Sequence, residues 1–211
     1  MVNMDKVKIS KTMSLILRHH PEKYNIHLDK HGWAGIDEMV TNLKTKYPHF
    51  SKEILFEIVK EDKKQRYSLN ENKDKIRANQ GHSISVDVEL KSMIPPDILY
   101  HGTAIKFLDS IMQQGLLSKN RLYVHLSKDV DTAIQVGQRH GKPVVLSIDC
   151  KSMIDQGYVF YLSENGVWLT KNVPVQFINI FDVNKNQTIR IESSDFFINY
   201  RFKSNTTGTD L

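Results

Sequence analysis

Four short segments of the 211-residue chain are too polar to be core and carry groups that bind anions or move protons. Leu17-Arg18-His19-His20 puts a permanent cation beside two imidazoles directly after an apolar run. Taken alone, it reads as a charged last helical turn, which the negative end of a helix dipole favours. Ile76-Arg77-Ala78-Asn79-Gln80-Gly81-His82-Ser83 joins a guanidinium, two amides, a glycine, an imidazole and a hydroxyl. Such a loop can wrap a phosphate, with Arg77 as the bidentate fork, Gly81 letting backbone N–H groups approach, and Gln80, His82 and Ser83 lining it. A plain polar turn is the competing reading. Tyr100-His101-Gly102-Thr103 follows a Pro95-Pro96 pair and precedes an apolar helical stripe. Thr103 there is a ready N-cap; alternatively His101, Gly102 and Thr103 clamp a flat polar ring such as a carboxamide. In Arg121-Leu122-Tyr123-Val124-His125-Leu126-Ser127, apolar and polar residues alternate, so a strand would place Arg121, His125 and Ser127 on one face. Three polar groups on one face point to a site more than a lone histidine would.

Several chemistries lack their residues. The nine histidines include no His-x-x-x-His pair backed by a carboxylate, and His19-His20 cannot face one ion from a helix, so no metal site is expected. Neither a Gly-x-x-x-x-Gly-Lys-Ser/Thr loop nor a Gly-x-Gly-x-x-Gly fingerprint occurs, so metal-dependent hydrolysis and ordinary nucleotide kinases are disfavoured. Cys150 is the single cysteine, so neither an internal disulfide nor a thiolate zinc site can form within the chain.

The elements that must hold these segments follow from periodicity. Ile9, Met13, Ile16 and Leu17 mark a helix that Pro21 stops. Ile36, Met39, Val40 and Leu43 mark a second, and Ser51 caps a third that carries Ile54, Leu55, Ile58 and Val59. Arg66-Tyr67-Ser68-Leu69 and Lys75-Ile76-Arg77 flank a polar turn. Three short helices and a hairpin is the order of a winged-helix module. Beyond Pro95-Pro96 the runs 144–148, 158–161, 167–170 and 177–181 read as strands, with helices expected over about Ala104–Gln114 and Asp129–Gln138. The expected fold is therefore α+β: a helical lobe over 1–93, a β-rich lobe over 94–203 and a disordered tail over 204–211.

Composition sets the broad class. Hydrophobic residues make up 40% and charged residues 25%, enough apolar material for a core and too much for a disordered chain. The net charge of +5, most of it in the first 95 residues, permits a nucleic-acid partner without demonstrating one. No apolar run approaches the roughly 20 residues of a membrane span, and no apolar segment follows the first charges. A soluble, cytoplasmic protein without a signal peptide is expected, and a monomer is assumed.

Seven segments, in order, carry a resemblance. They are 14–19 (Ser-Leu-Ile-Leu-Arg-His), His31-Gly32-Trp33, 77–83, 100–103, 124–127, Arg139-His140-Gly141-Lys142-Pro143 and Gly166-Val167-Trp168-Leu169-Thr170. Together they resemble the NAD-dependent RNA 2′-phosphotransferase family, the tRNA-splicing type and its bacterial relatives, from about Ile9 to Phe181. The resemblance implies a winged-helix lobe and an ADP-ribosyltransferase-like lobe. It implies removal of an internal 2′-phosphate from RNA, tRNA among the candidates, with NAD consumed as acceptor and no metal. The products would be 2′-hydroxyl RNA, ADP-ribose 1″,2″-cyclic phosphate and nicotinamide.

By the same resemblance, Arg18, His19, Arg77 and Arg121 are the catalytic residues, with Arg139 competing for the last place and otherwise binding substrate beside Gln80, His82 and Ser83. The family's His–His–hydrophobic signature falls on His101, His125 and Val167, and the clamp and alternation readings above add Gly102, Thr103 and Ser127 to the cofactor side. Many ADP-ribosyltransferases carry a catalytic Glu where Val167 stands, a departure that disfavours protein modification. Physically, the nucleophile is already an anion, so placement matters more than a strong base. Fixed guanidiniums can stabilise charge gathering on phosphorus, and His19 is the natural proton donor. ADP-ribosylation of nucleic-acid ends and a non-enzymatic winged-helix RNA-binding module are the alternatives.

Overall fold

The apolar spacing of the first helix buries one stripe. Ile9, Met13, Ile16 and Leu17 line the inner face of α1 (Lys6–Arg18), and a short 3-10 turn beginning at Pro21 ends the run. The computed structural model describes residues 6–189; the expected disordered tail 204–211 lies outside them. Those residues form an α+β fold with six α-helices and several antiparallel sheets among the described residues. They group into two units. The first takes the chain up to Ser92 together with 118–123 and 161–167, and the second takes 93–117, 124–160 and the chain from Trp168 onward.

In the first unit α1 is followed by β1 (Ala34–Gly35), α2 (Ile36–Leu43), α3 (Lys52–Glu61), β2 (Tyr67–Leu69), β3 (Lys75–Ala78) and β4 (Lys91–Ser92). As expected, Ser51 caps α3, its side chain accepting from the Ile54 amide. The β2–β3 hairpin forms with Leu69 opposite Ile76 and Tyr67 opposite Ala78. The two-residue strand β1, too short to leave a periodic signal, joins it on the other side of β3 with Ala34 opposite Ile76. A core of Ile9, Met13, Ile16, Leu17, Met39, Leu43, Phe50, Leu55 and Ile76 fills the unit. Hydroxyls fix α1 on this core: Tyr67 donates to the Ser10 carbonyl at 2.6 Å and pairs with Ser14 Oγ at 2.7 Å, and Thr12 pairs with the Tyr47 hydroxyl at 2.8 Å. These bonds set where the last turn of α1, and hence Arg18, comes to rest.

The second unit contains β5 (Ile98–Ala104), α4 (Leu108–Gln114), β6 (Leu116–Leu117), β7 (Val124–Leu126), α5 (Val130–Gln138), β8 (Pro143–Asp149) and α6 (Cys150–Asp155). The strand β9 (Phe160–Leu162) is divided between the units, and its last two residues pair with β4. Then come β10 (Trp168–Thr170), β11 (Asn172–Val173), β12 (Ile178–Asp182) and β13 (Gln187–Ile189). An antiparallel sheet of order β13-β12-β8-β5 is the centre of this unit, with α5 packed on β5.

Two expectations are corrected here. The segment 100–103 does not precede a helix. It lies inside β5, with Thr103 opposite Val144, so Thr103 caps nothing. The chain turns through a short 3-10 segment at 105–107 first, and α4 begins only at Leu108. The strand expected over 121–127 is also shorter. Only Val124–Leu126 is strand, and Arg121 sits in a bend before it, so alternation does not put Arg121 on the face shared by His125 and Ser127.

Candidate active site

A cationic cluster is built in the first unit at the end of α1. Arg18 is the last helical residue, and its carbonyl accepts from the Ser83 amide at 2.9 Å. That bond docks the 79–83 loop against the helix end. The other end of the loop is held by Asn79, whose side chain donates to the Gln65 carbonyl at 2.7 Å and accepts from Ser68 Oγ at 2.7 Å. Between these anchors Gly81 takes a positive φ of 89°, and a Cβ there would lie 3.6 Å from Arg18 Nη1. The positive φ is what calls for glycine, since a Cβ at that distance would make only ordinary contact. His19 Nδ1 pairs with Ser83 Oγ at 2.9 Å. The polar loop reads, then, as a cradle tied to the Arg18–His19 turn rather than a free turn; Gln80 is half-buried within it.

Arg77 comes up from β3 and is 9% exposed. Its guanidinium lies over the Trp33 ring at 4.5 Å and its Nη1 pairs with Glu89 at 3.1 Å. His82 is buried, 2% exposed, and its carbonyl accepts from the Leu122 amide at 3.1 Å. This places the 121–123 bend beside the loop. Arg121 therefore belongs with Arg18 and Arg77 in the first unit, not with the strand that follows it in sequence. Arg139 is exposed at the C-terminus of α5 and belongs to the second unit.

The electrostatics are those of a site short of negative charge. Arg18 Nε and Nη2, Arg77 Nε and His82 Nε2 are all buried with no hydrogen-bond partner. Buried donors of this kind are costly and rarely left unmatched. Burial pulls Arg18 below its ordinary value, with Arg66 and Arg121 pushing the same way against Tyr67 and Asp62. It remains a cation at neutral pH. Burial, then the charges of Arg18, Arg121 and His20, also lower His19. Burial, then the neighbouring Arg18, His19 and Arg77, lower His82 to about 4. Both imidazoles are thus neutral at pH 7 until an anion arrives, which qualifies the expectation that His19 stands ready as a proton donor. Nε and Nη2 of Arg18 form one edge of its guanidinium, the edge that grips two oxygens of a phosphate at once.

In the second unit a different group assembles. His101 Nδ1 donates to the His125 carbonyl at 3.0 Å, and Tyr100 and Ser127 exchange backbone bonds of 2.8 and 2.7 Å. The bond to a carbonyl requires the proton on Nδ1, fixing the tautomer of a neutral ring. His101, His125 and Ser127, all half-buried, are brought together. Such an arrangement of hydroxyl and imidazole groups suits a polar ring or ribose. Gly102 and Thr103 are held by close packing. A Cβ on Gly102 would lie 1.7 Å from the Ala133 carbonyl oxygen, so Gly102 is where α5 rests on β5, and Thr103 is buried in the sheet. Val167 is half-buried and closes a Ser163–Gly166 turn in the first unit. Trp33 and Glu89, which touch Arg77, have no role legible in the sequence. Trp33 lies within a quoted segment, but nothing in Glu89's neighbourhood marks it. Among the described residues no group of three His, Cys, Asp or Glu side chains could hold a metal ion.

A family model described as RNA 2′-phosphotransferase, Tpt1 / KptA family, matches residues 4–172. The chain belongs to this family. Its relatives include a "Probable RNA 2′-phosphotransferase" of Acaryochloris marina (strain MBIC 11017), 52% identical over 170 residues, 80% of this chain and 93% of the relative. A protein of the same name from Fusobacterium nucleatum subsp. nucleatum is 52% identical over 173 residues, covering 82% and 97%. One from Nostoc punctiforme (strain ATCC 29133 / PCC 73102) is 49% identical over 173 residues, covering 82% and 95%. The family match spans both the Arg18–Arg77 cluster and the His101–His125 group. Family membership therefore concerns the two assemblies together, not one of them.

Proposed function

We propose that the chain removes an internal 2′-phosphate from RNA by passing it to NAD, releasing 2′-hydroxyl RNA, ADP-ribose 1″,2″-cyclic phosphate and nicotinamide. The observation that carries this reading is the set of buried, unpartnered donors on Arg18 and Arg77. An RNA phosphate dianion is a ligand that matches them in charge and in geometry. Arg18 grips two phosphate oxygens with its Nε–Nη2 edge, Arg77 adds its Nε, and Arg121 supplies further positive charge. With Nδ1 engaged by Ser83, His19 meets the phosphate through Nε2. The dianion raises the imidazole's proton affinity, so His19 holds a proton there and gives it to a departing oxygen.

NAD, the second substrate, supplies a ribose carbon from which nicotinamide can leave. Residues of the second unit that suit its polar groups are His101, His125 and Ser127. In this reading 1–93 is a winged-helix lobe, 94–203 is an ADP-ribosyltransferase-like lobe, and tRNA is the natural candidate substrate. Among the described residues no helix is long and apolar enough to cross a membrane.

The test is incubation with an RNA oligonucleotide bearing one internal 2′-phosphate, with and without NAD, in EDTA. Phosphate loss that requires NAD and survives EDTA is expected. Equal loss without NAD overturns the proposal.

A further inference from the structure

The His31-Gly32-Trp33 segment and the 87–89 segment have no task in the reading above, yet both are built toward Arg77. Asp29 organises the first. Its Oδ1 accepts from the His31 and Trp33 amides at 2.9 and 3.0 Å, its carbonyl accepts from Gly32 N at 2.9 Å, and Gly32 takes a φ of 78°. Lys75 reaches Asp29 Oδ2 at 3.4 Å, and Ala34 lies opposite Ile76. Strand register thereby sets Trp33 beside Arg77, and the indole face meets the guanidinium at 4.5 Å.

The second segment is tied to the first. Asp87 N donates to the Lys30 carbonyl at 2.9 Å, and His31 Nδ1 donates to the Asp87 carbonyl at 2.8 Å. Asp87 Oδ1 in turn accepts from Glu89 N at 2.9 Å. Glu89 adopts a left-handed φ of 59°, which disfavours a residue with a side chain. Its carboxylate lies 3.1 Å from Arg77 Nη1 and 4.0 Å from His31 Nδ1. One face of the guanidinium thus rests on an indole and one nitrogen is held by a carboxylate. Nε is left buried with no partner.

We propose that Trp33 and Glu89 are positioning residues that aim Arg77 at the RNA phosphate, Trp33 fixing the plane of the guanidinium and Glu89 its rotation within that plane. This rests on the phosphate reading of the Arg18–Arg77 cluster. A stacked, partly desolvated cation–π contact is worth about a threefold to thirtyfold change in an equilibrium. An ion pair with a half-exposed carboxylate is worth less.

The test compares binding of a 2′-phosphorylated RNA oligonucleotide with its 2′-hydroxyl counterpart, without NAD, so that no turnover is needed. The ratio of the two dissociation constants reports phosphate recognition alone. Trp33→Leu is expected to reduce that ratio by about fivefold or more, Glu89→Ala by a smaller factor, and Trp33→Phe to restore most of it. In an Arg77→Ala background neither substitution should reduce it further, whereas a merely structural role would act in both backgrounds. Unfolding midpoints of each variant establish that the chain is folded. If the unsubstituted chain discriminates but both variants match it within about twofold, or their losses persist without Arg77, the positioning roles fall and the phosphate site stands. If the unsubstituted chain does not discriminate, the phosphate site itself falls and takes this inference with it.

Discussion

At the residue scale the site is defined by donors that have nothing to donate to. Arg18 offers the Nε–Nη2 edge and Arg77 its Nε, all buried. In the proposed reaction the 2′-phosphate first displaces nicotinamide from the ribose, and the ribose 2″-hydroxyl then attacks phosphorus and expels the RNA 2′-oxygen; charge gathers on phosphorus mainly in that second step. Removing a charge-assisted contact to a phosphate costs roughly 1.5–3 kcal/mol, or about one to two powers of ten in rate. Arg18→Ala, His19→Ala and Arg77→Ala should therefore slow the second step more than the first. A 2′-phospho-ADP-ribosylated RNA should accumulate and then decay, visible as a slower band on a denaturing gel. Loss of phosphate consumption without that band in all three variants would assign them to binding or the first attack.

His82 gives a second residue-scale prediction. Its folded value of about 4 lies below the ordinary 6.5. As pH falls through that window the unfolded chain takes up a proton that the folded chain refuses. Stability is full above the unfolded value and is lost on acidification, by about 3 kcal/mol between pH 6.5 and 4 at 1.36 kcal/mol per unit. Denaturant titrations at pH 7, 5.5 and 4.5 should show a smaller acid-dependent loss in His82→Asn than in the unsubstituted chain. Parallel losses would place the proton-sensitive group elsewhere. The 77–83 segment was legible as a loop able to wrap a phosphate, whereas Arg18-His19 by itself read as a charged helical turn and entered the site through the resemblance. Which donors end up buried and unmatched was not legible, because that depends on the Ser83–Arg18 bond, which joins residues far apart in the chain.

At the scale of elements, helices were the readable part. The stripes of α1 and α2, the Ser51 cap and the α5 run all follow from local spacing and side-chain chemistry. Strand β5 was not readable, since it is covered by α5 and paired with β8, so its residues do not alternate. A start-of-helix signal at Thr103 was the local alternative. Arg121 misled for a related reason: alternation was extended to three residues before the start of β7.

Gly102 tests the resulting packing. A methyl group there meets the Ala133 backbone at 1.7 Å, and backbone cannot swing aside. Gly102→Ala is expected to cost about 2 kcal/mol or more, read as a lowered unfolding midpoint. An unchanged midpoint contradicts the close approach of α5 to β5. On the neighbouring residues, alanine at His101, His125 or Ser127 is expected to raise the NAD concentration needed for half-maximal rate several-fold while leaving RNA binding within about twofold. Unchanged NAD dependence in all three would mean that the co-substrate has been assigned to the wrong surface.

At the scale of the whole molecule, the two units hold different chemical inventories: cations and buried donors in the first, an imidazole–hydroxyl group on a sheet in the second. Composition foretold only an ordinary soluble fold with a mild positive excess. It was the ordered set of seven segments, and then the family match over residues 4–172, that tied the inventories to one reaction. The central claim is that the phosphate leaves RNA by transfer to the ADP-ribose part of NAD rather than to water. It is tested most directly by labelling the phosphorus of an internal 2′-phosphate and following where the label goes. The account predicts that, with NAD present, the label appears in a cyclic phosphate of ADP-ribose, mole for mole with released nicotinamide. Label recovered as inorganic phosphate, with NAD intact, would contradict it.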